Sequence, residues 1–317
     1  MSRILVTGGL GFVGGRVAAA LAAIPEYEVV VSTRSEKIAQ VDWLPNAQVV
    51  SCDLMSDDDC HRVCQDVETV IHLAALNEIE SGQNPQQALL VTGLGSLKLL
   101  EAAQNAGVHG FIYFSTAHVY GAPLVGVINE SVIPRPAHPY AIAHKTAEDF
   151  ILAAGDRSMI ETLVVRLSNA FGAPTHSEVN RWTLVVNDLC RQAVTARTLS
   201  LRSSGLEQRD FIALDDVGRA IIHFLRPEVD WDDGIFNLGG ENSLRIIDIA
   251  KMIQARCESV FGFKPGIQRP EPSTGEKSDP LTYEIVKLKA TGFELRRRIT
   301  QEIDATLMLC QTAFGCQ

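Results

Sequence analysis

Arg3-Ile4-Leu5-Val6-Thr7-Gly8-Gly9-Leu10-Gly11-Phe12-Val13-Gly14 decides how the chain is read. The apolar run Ile4-Leu5-Val6 has the character of a buried parallel strand, and it stops at a glycine-rich turn. Beyond the turn, Val13, Val17, Ala18 and Leu21 recur at helical spacing through an alanine-rich segment. A strand, a glycine turn and a helix together present unpaired N–H groups and the positive end of a helix dipole, a seat for a pyrophosphate. In that reading Gly8 permits the tight turn, Gly11 lets the backbone approach the phosphates, and Gly14 lets the helix pack on the strand. Phe12 and Val13 lie beside the same phosphates. The stretch reads as a dinucleotide site.

Residues 28–32 read as a second strand, and the residues just past it face the adenosine ribose. A carboxylate there selects NAD, whereas an arginine favours the extra phosphate of NADP. The sequence runs Ser32-Thr33-Arg34-Ser35, with no carboxylate before Glu36, so Arg34 points to NADP, with NAD as the alternative. Residues 48–54 read as a third strand ending at Asp53, placed beside Leu54 to bond an adenine amino group or to cap the next helix. Residues 69–75 read as a fourth strand whose end, Leu73-Ala74-Ala75, lets the backbone lie along the cofactor. Pro85 opens a long amphipathic segment that stops at Gly107, and residues 111–114 make a fifth strand. This alternation specifies an α/β protein, a Rossmann-type doubly wound parallel sheet with a smaller C-terminal substrate-binding lobe. The expected division is 1–170 and 171–317, with a later strand returning to the sheet.

With 317 residues, 46% of them hydrophobic, the chain can bury a full core. A net charge of -10 argues against nucleic acid as a partner. Met1-Ser2-Arg3 leads straight into a strand, and no apolar run approaches the about 18 residues of a membrane span, so no signal peptide and no membrane association are expected. Seven scattered cysteines, with Cys60 and Cys64 lacking a second pair at metal-ligand spacing, suit reduced thiols in a cytoplasmic protein without a metal site.

The chemistry is expected past the fifth strand. Ser115-Thr116-Ala117-His118-Val119-Tyr120-Gly121 places hydroxyls at the carboxyl end of a central strand, where open α/β sheets bind ligands. His138-Pro139-Tyr140 precedes a helix starting near Ala141. Together with the glycine turn, these segments resemble the extended short-chain dehydrogenase/reductases of the nucleotide-sugar epimerase/dehydratase family. His72-Leu73-Ala74-Ala75, residues 166–174 and residues 208–217 resemble that family's later segments in the same order. The resemblance implies a nucleotide-sugar substrate, a nicotinamide cofactor and a homodimer. It gives Thr116 the role of hydrogen-bonding the reacting sugar oxygen, and Tyr140 that of trading a proton with it while hydride moves at the nicotinamide. Asn169 would bond the diphosphate or sugar, and Arg209 would clamp the diphosphate, unless Asp210 or Asp216 engages it.

Three departures from the family pattern bear on activity. A free tyrosine ionises near about 10, and the family lowers that value with a lysine four residues on. Here the fourth position is His144, and Lys145, roughly 140° around the helix, is expected to point away. His144 is therefore assigned to the nicotinamide ribose and, when protonated, to support of the tyrosinate, so that it joins Thr116 and Tyr140 as a catalytic candidate. Dehydratases of the family carry acids just after the threonine, whereas this chain has Ala117 and His118, which disfavours simple dehydration and leaves His118 as a general acid–base or pocket-wall residue. Thr92 stands where the family often has asparagine, with a hydroxyl able to bond back to a carbonyl. Further on, Ser243 is expected to cap a helix, and residues 264–280 to form a loop across the substrate mouth. The favoured activity is hydride transfer at a nucleotide-linked sugar, leaning to keto-sugar reduction. NAD-dependent epimerisation is the alternative, and a dinucleotide-sensing protein with weakened catalysis is the rival of another class.

Overall fold

Ile4-Leu5-Val6, Val29-Val30-Val31 and Leu163-Val164-Val165 are buried whichever way their side chains alternate, the mark of strands covered on both faces. They belong to a seven-stranded sheet in a computed structural model that describes residues 1–35 and 41–315. Glu36 lies outside the described residues. The strands are β1 (Ser2–Thr7), β2 (Tyr27–Thr33), β3 (Ala47–Ser51), β4 (Thr69–His72), β5 (Gly110–Thr116), β6 (Glu161–Leu167) and β7 (Ile235–Leu238). All pair in parallel in the order β7-β6-β5-β4-β1-β2-β3. The order reverses at β1, and an open sheet leaves a ligand crevice at the carboxyl ends beside such a reversal.

The helices are α1 (Phe12–Ala22), α2 (Asp57–Val63), α3 (Glu78–Gln83), α4 (Pro85–Ala88), α5 (Gly95–Asn105), α6 (Pro139–Asp156), α7 (Val185–Ala196), α8 (Leu214–Phe224), α9 (Ile246–Phe261), α10 (Val286–Ala290) and α11 (Ile299–Phe314). One face of the sheet packs against Val17 and Leu21 of α1, Ile221 and Phe224 of α8, and Leu288 of α10. The other packs against Cys60 of α2, Leu99 of α5 and Ile151 of α6. A separate core joins Leu189 of α7, Ile253 of α9 and Leu307 of α11. Beside it, a three-stranded sheet combines Asn169–Phe171, Gln208–Ala213 and Ser243–Arg245.

Several local readings are corrected. β3 stops at Ser51, so Asp53 lies in the following loop, where its carboxylate accepts Met55 N–H at 2.9 Å. The cap of α2 is Ser56, which accepts Asp59 N–H. β4 likewise stops at His72, before Leu73, Ala74 and Ala75. Ser243 sits in a strand, and α9 begins after Arg245 without a side-chain cap. α6 begins at Pro139, because His138 Nδ1 accepts Tyr140 N–H and proline suits a first turn. The helical segment after Pro85 is interrupted by a π-turn, Leu89–Leu94, in which Thr92 Oγ1 accepts Leu76 N–H at 3.2 Å. That bond ties the chain after β4 to the bend. Within residues 264–280, Gly266–Gln268 pairs with Thr198–Ser200, and none of these residues lines either cavity described below.

Candidate active site

Gly8 has φ +67°, and a Cβ built there would come within 2.9 Å of Ala74 N. A Cβ on Gly14 would stand 2.2 Å from Gly8 O, so α1 reaches the turn only because residue 14 has no side chain. Thr7 Oγ1 accepts Leu73 N–H and Ala74 N–H at 3.3 Å each, which stitches the turn to the segment after β4. Gly8, Gly11, Phe12, Val13 and Gly14 thereby form the floor of a 1180 Å³ cleft along the carboxyl ends of the strands, with Leu73, Ala74 and Ala75 on its wall.

Arg34, Asp53 and Leu54 close one end of the cleft. Two further residues there, Asp59 and Arg62, had no signal in the sequence. Arg62 donates to Ser51 O at 2.9 Å and pairs with Asp59, whose carboxylate also accepts Asp53 N–H. The Asp53 amide and Arg62 hold the Asp59 carboxyl below its ordinary range.

Tyr140 and His144 line the other end, one turn apart on α6. Their rings meet edge to face, with centroids 4.5 Å apart. Thr116, the last residue of β5, lines neither cavity in its own right; its hydroxyl accepts His118 N–H at 3.2 Å and lies near enough to the Tyr140 phenol to act on it. Burial pushes the Tyr140 phenol up, Glu78 adds to this, and Arg181 and the Thr116 hydroxyl oppose it. Lys145 pairs with Asp149 on the same helix.

His144 departs from its assigned protonated role. Burial pulls its imidazole down to about 4, with only partial opposition from Glu78, so the ring is neutral at pH 7. It therefore brings no positive charge to the phenol. Its Nδ1 is hydrogen-bonded to the Tyr113 hydroxyl at 2.7 Å, and its Nε2 is buried with no partner among the described residues.

His118, Asn169 and Arg209 line a second cavity of 400 Å³ with Glu207 and Gln208. Arg209 is engaged by Glu207 at 2.8 Å, a partner two residues away, and by neither aspartate weighed for it. Asp210 is turned inward, accepting from Ser168, Gly240 N–H and Asn242 N–H, while Asp216 pairs with Arg219. Asn169 Nδ2 donates to Asp210 O at 3.0 Å. Burial lowers the His118 imidazole. Between the cavities, Arg181 pairs with Glu78 at 3.0 Å, and that pairing holds the Glu78 carboxyl below its ordinary value against the pull of burial. The sequence reading missed this pair; the one local signal near it is the Asn77–Glu80 capping box at the start of the Glu78 helix. Nothing local marks Arg181.

No helix among the described residues is long and apolar enough to cross a membrane. No group of ligating side chains among them is arranged to hold a metal ion.

The strand order, the glycine turn and the cleft above it define a Rossmann-type dinucleotide-binding protein. The model of the NAD dependent epimerase/dehydratase family matches residues 4–239, and the chain belongs to that family. dTDP-D-glucose 4,6-dehydratase of Mus musculus is 28% identical, over 78% of this chain and 71% of its own length. The putative UDP-glucose 4-epimerase of Methanocaldococcus jannaschii is 25% identical over 92% of each chain. Among solved structures, UDP-glucuronic acid 4-epimerase from Bacillus cereus in complex with NAD superposes with a TM-score of 0.82. It is 22% identical, covering 99% of this chain and 100% of the other.

Proposed function

We propose that the protein is a nicotinamide-dinucleotide enzyme that transfers hydride at a carbon of a nucleotide-linked sugar. The observation that carries this reading is the meeting of Thr116, Tyr140 and His144 at one end of the glycine-floored cleft. The residues present fit a dinucleotide. Side chains at positions 8 and 14 would close the turn, and two buried polar atoms without partners among the described residues, Ser115 Oγ and His144 Nε2, belong to residues of its wall. When bound, the nicotinamide supplies the hydride acceptor or donor. Tyr140 gives or takes the proton at the sugar oxygen, and Thr116, at the end of β5 near the phenol, holds that oxygen in place. Arg209, released from Glu207, and Asn169 bind the diphosphate in the second cavity. Replacing Tyr140 by Phe is expected to lower turnover by roughly 10²–10⁴-fold while leaving dinucleotide affinity within a few-fold. Unchanged turnover would overturn the assignment.

The cofactor reading leans to NADP. Arg34 and Arg62 both line the end of the cleft beyond β2, and Arg34 directly follows that strand. A fluorescence titration should show NADPH binding more tightly than NADH, with the difference shrinking in Arg34→Ala. That result favours net reduction of a keto-sugar. Preference for NADH, or NAD that resists stripping, favours epimerisation, the activity in the names of two of the relatives.

The partner reading is a homodimer. Leu89, Leu90 and Leu94 of the π-turn and Ile142 and Phe150 of α6 are all more than a third exposed, although the two segments pack on each other. The location reading is the cytoplasm, which suits the six cysteines among the described residues, all buried and unpaired.

A further inference from the structure

We propose that Tyr113 is a positioning residue for the active site: its hydroxyl donates to His144 Nδ1, fixing the ring's hydrogen on Nε2, on the residue whose ring packs against Tyr140. The inference rests on the hydride-transfer reading for its purpose, though not for its geometry.

The direction of the hydrogen bonds follows from a chain buried between β1, β4 and α5. Thr7 Oγ1 accepts the amides of Leu73 and Ala74, so its own hydrogen is free for His72 Nδ1, 2.6 Å away. His72 then carries its hydrogen on Nε2, which donates to Ser96 Oγ at 2.8 Å. Ser96 in turn donates to Thr92 O at 2.5 Å. Burial lowers the His72 imidazole to about 3, so the ring is neutral and this polarity holds at ordinary pH. The single Ser96 hydrogen is committed to Thr92, and among the described residues no hydrogen bond joins Ser96 to the Tyr113 hydroxyl, so Ser96 does not compete for the Tyr113 hydrogen. The Tyr113 phenol, itself buried, has His144 Nδ1 at 2.7 Å as the acceptor for its hydrogen. A neutral imidazole that accepts at Nδ1 must donate at Nε2. That atom is the one left without a partner among the described residues, on a side chain only 3% exposed that lines the cleft. A lysine offers a donor and a charge together. Here the strand supplies the orientation of a donor without the charge.

The test needs no substrate. In protein labelled with ¹⁵N-histidine, long-range ¹H–¹⁵N correlation spectra distinguish the two tautomers, with the His144 signals assigned by their absence in His144→Gln. The expected result is a single Nε2–H tautomer in the unaltered protein and a tautomeric mixture in Tyr113→Phe, which keeps the ring and removes the hydroxyl. An Nδ1–H tautomer in the unaltered protein overturns the proposal even if Tyr113→Phe does not fold, and so does an unchanged tautomer in a folded Tyr113→Phe. In turnover assays Tyr113→Phe is expected to lose at least tenfold in kcat with KM for the sugar substrate little changed. A protein without any turnover that shows the expected tautomers would refute the proposed function and leave the role of Tyr113 in place.

Discussion

His72 and His144 are both buried neutral, and their charge state sets a pH limit on the fold. Their folded values, about 3 and about 4, lie below the ordinary 6.5. The unfolded chain therefore binds more protons as the pH falls. Their contribution to stability is full above about pH 6.5 and is lost progressively toward pH 4. Between pH 7 and pH 5 each histidine should cost about 2 kcal/mol of unfolding free energy. Urea denaturation at the two pH values checks this, and His144→Gln should recover about 2 kcal/mol of the difference; an equal loss in both proteins would refute it. This state of His144 was not legible in the sequence, because it depends on burial against Tyr113, 31 positions earlier. The need for glycine at 8 and 14 was legible, since the atoms a side chain would meet lie in the same turn or just past the end of β4. The partner of Arg209 was missed for a different reason. Adjacent aspartates draw the eye, but strand alternation turns Asp210 inward and leaves Glu207 on the side of Arg209.

The elements hold together through contacts that pattern reading sees only in part. The order of the strands follows from periodicity, as does the helix after β1. The ends of β3 and β4 and the π-turn do not, because loop side chains and the Thr92–Leu76 bond decide them. α6 is fixed to the sheet by a buried pair in which Arg166 of β6 grips both oxygens of Glu148, at 3.1 and 2.9 Å. Arg166 also donates to Tyr120, which donates to Asn237 of β7. Glu148→Gln leaves a buried guanidinium without its counter-charge and should destabilise the protein by roughly 3–5 kcal/mol in urea denaturation. A loss below about 1 kcal/mol would show that water enters the site. In the glycine turn, Gly14→Ala must displace backbone, since its Cβ would meet Gly8 O. The variant is expected to lose about 1–3 kcal/mol of stability and at least tenfold in affinity for NADPH. Calorimetric titration that finds wild-type affinity would refute the role of that turn.

At the scale of the molecule, the apolar face of the π-turn and α6 carries the assembly prediction. Leu90→Glu combined with Phe150→Glu should convert a dimer to a monomer in light scattering, with circular dichroism unchanged. A monomeric parent protein would end the homodimer reading. The two cores are clasped by Arg16 of α1, which donates to Ala173 O and pairs with Glu302 of α11 at 2.5 Å. Closure of the sheet also has a cost in time. Its outermost strand, β7, is drawn from residues 235–238 and pairs along the whole of its length with β6. During synthesis, β6 emerges from the ribosome long before that partner does. Until residue 238 is delivered, the growing chain displays a row of unpaired amides and carbonyls, and Arg166 and Tyr120 wait without Asn237. Over the interval between these two strands a nascent chain of this protein carries an open sheet edge, the kind of surface a ribosome-bound chaperone shields.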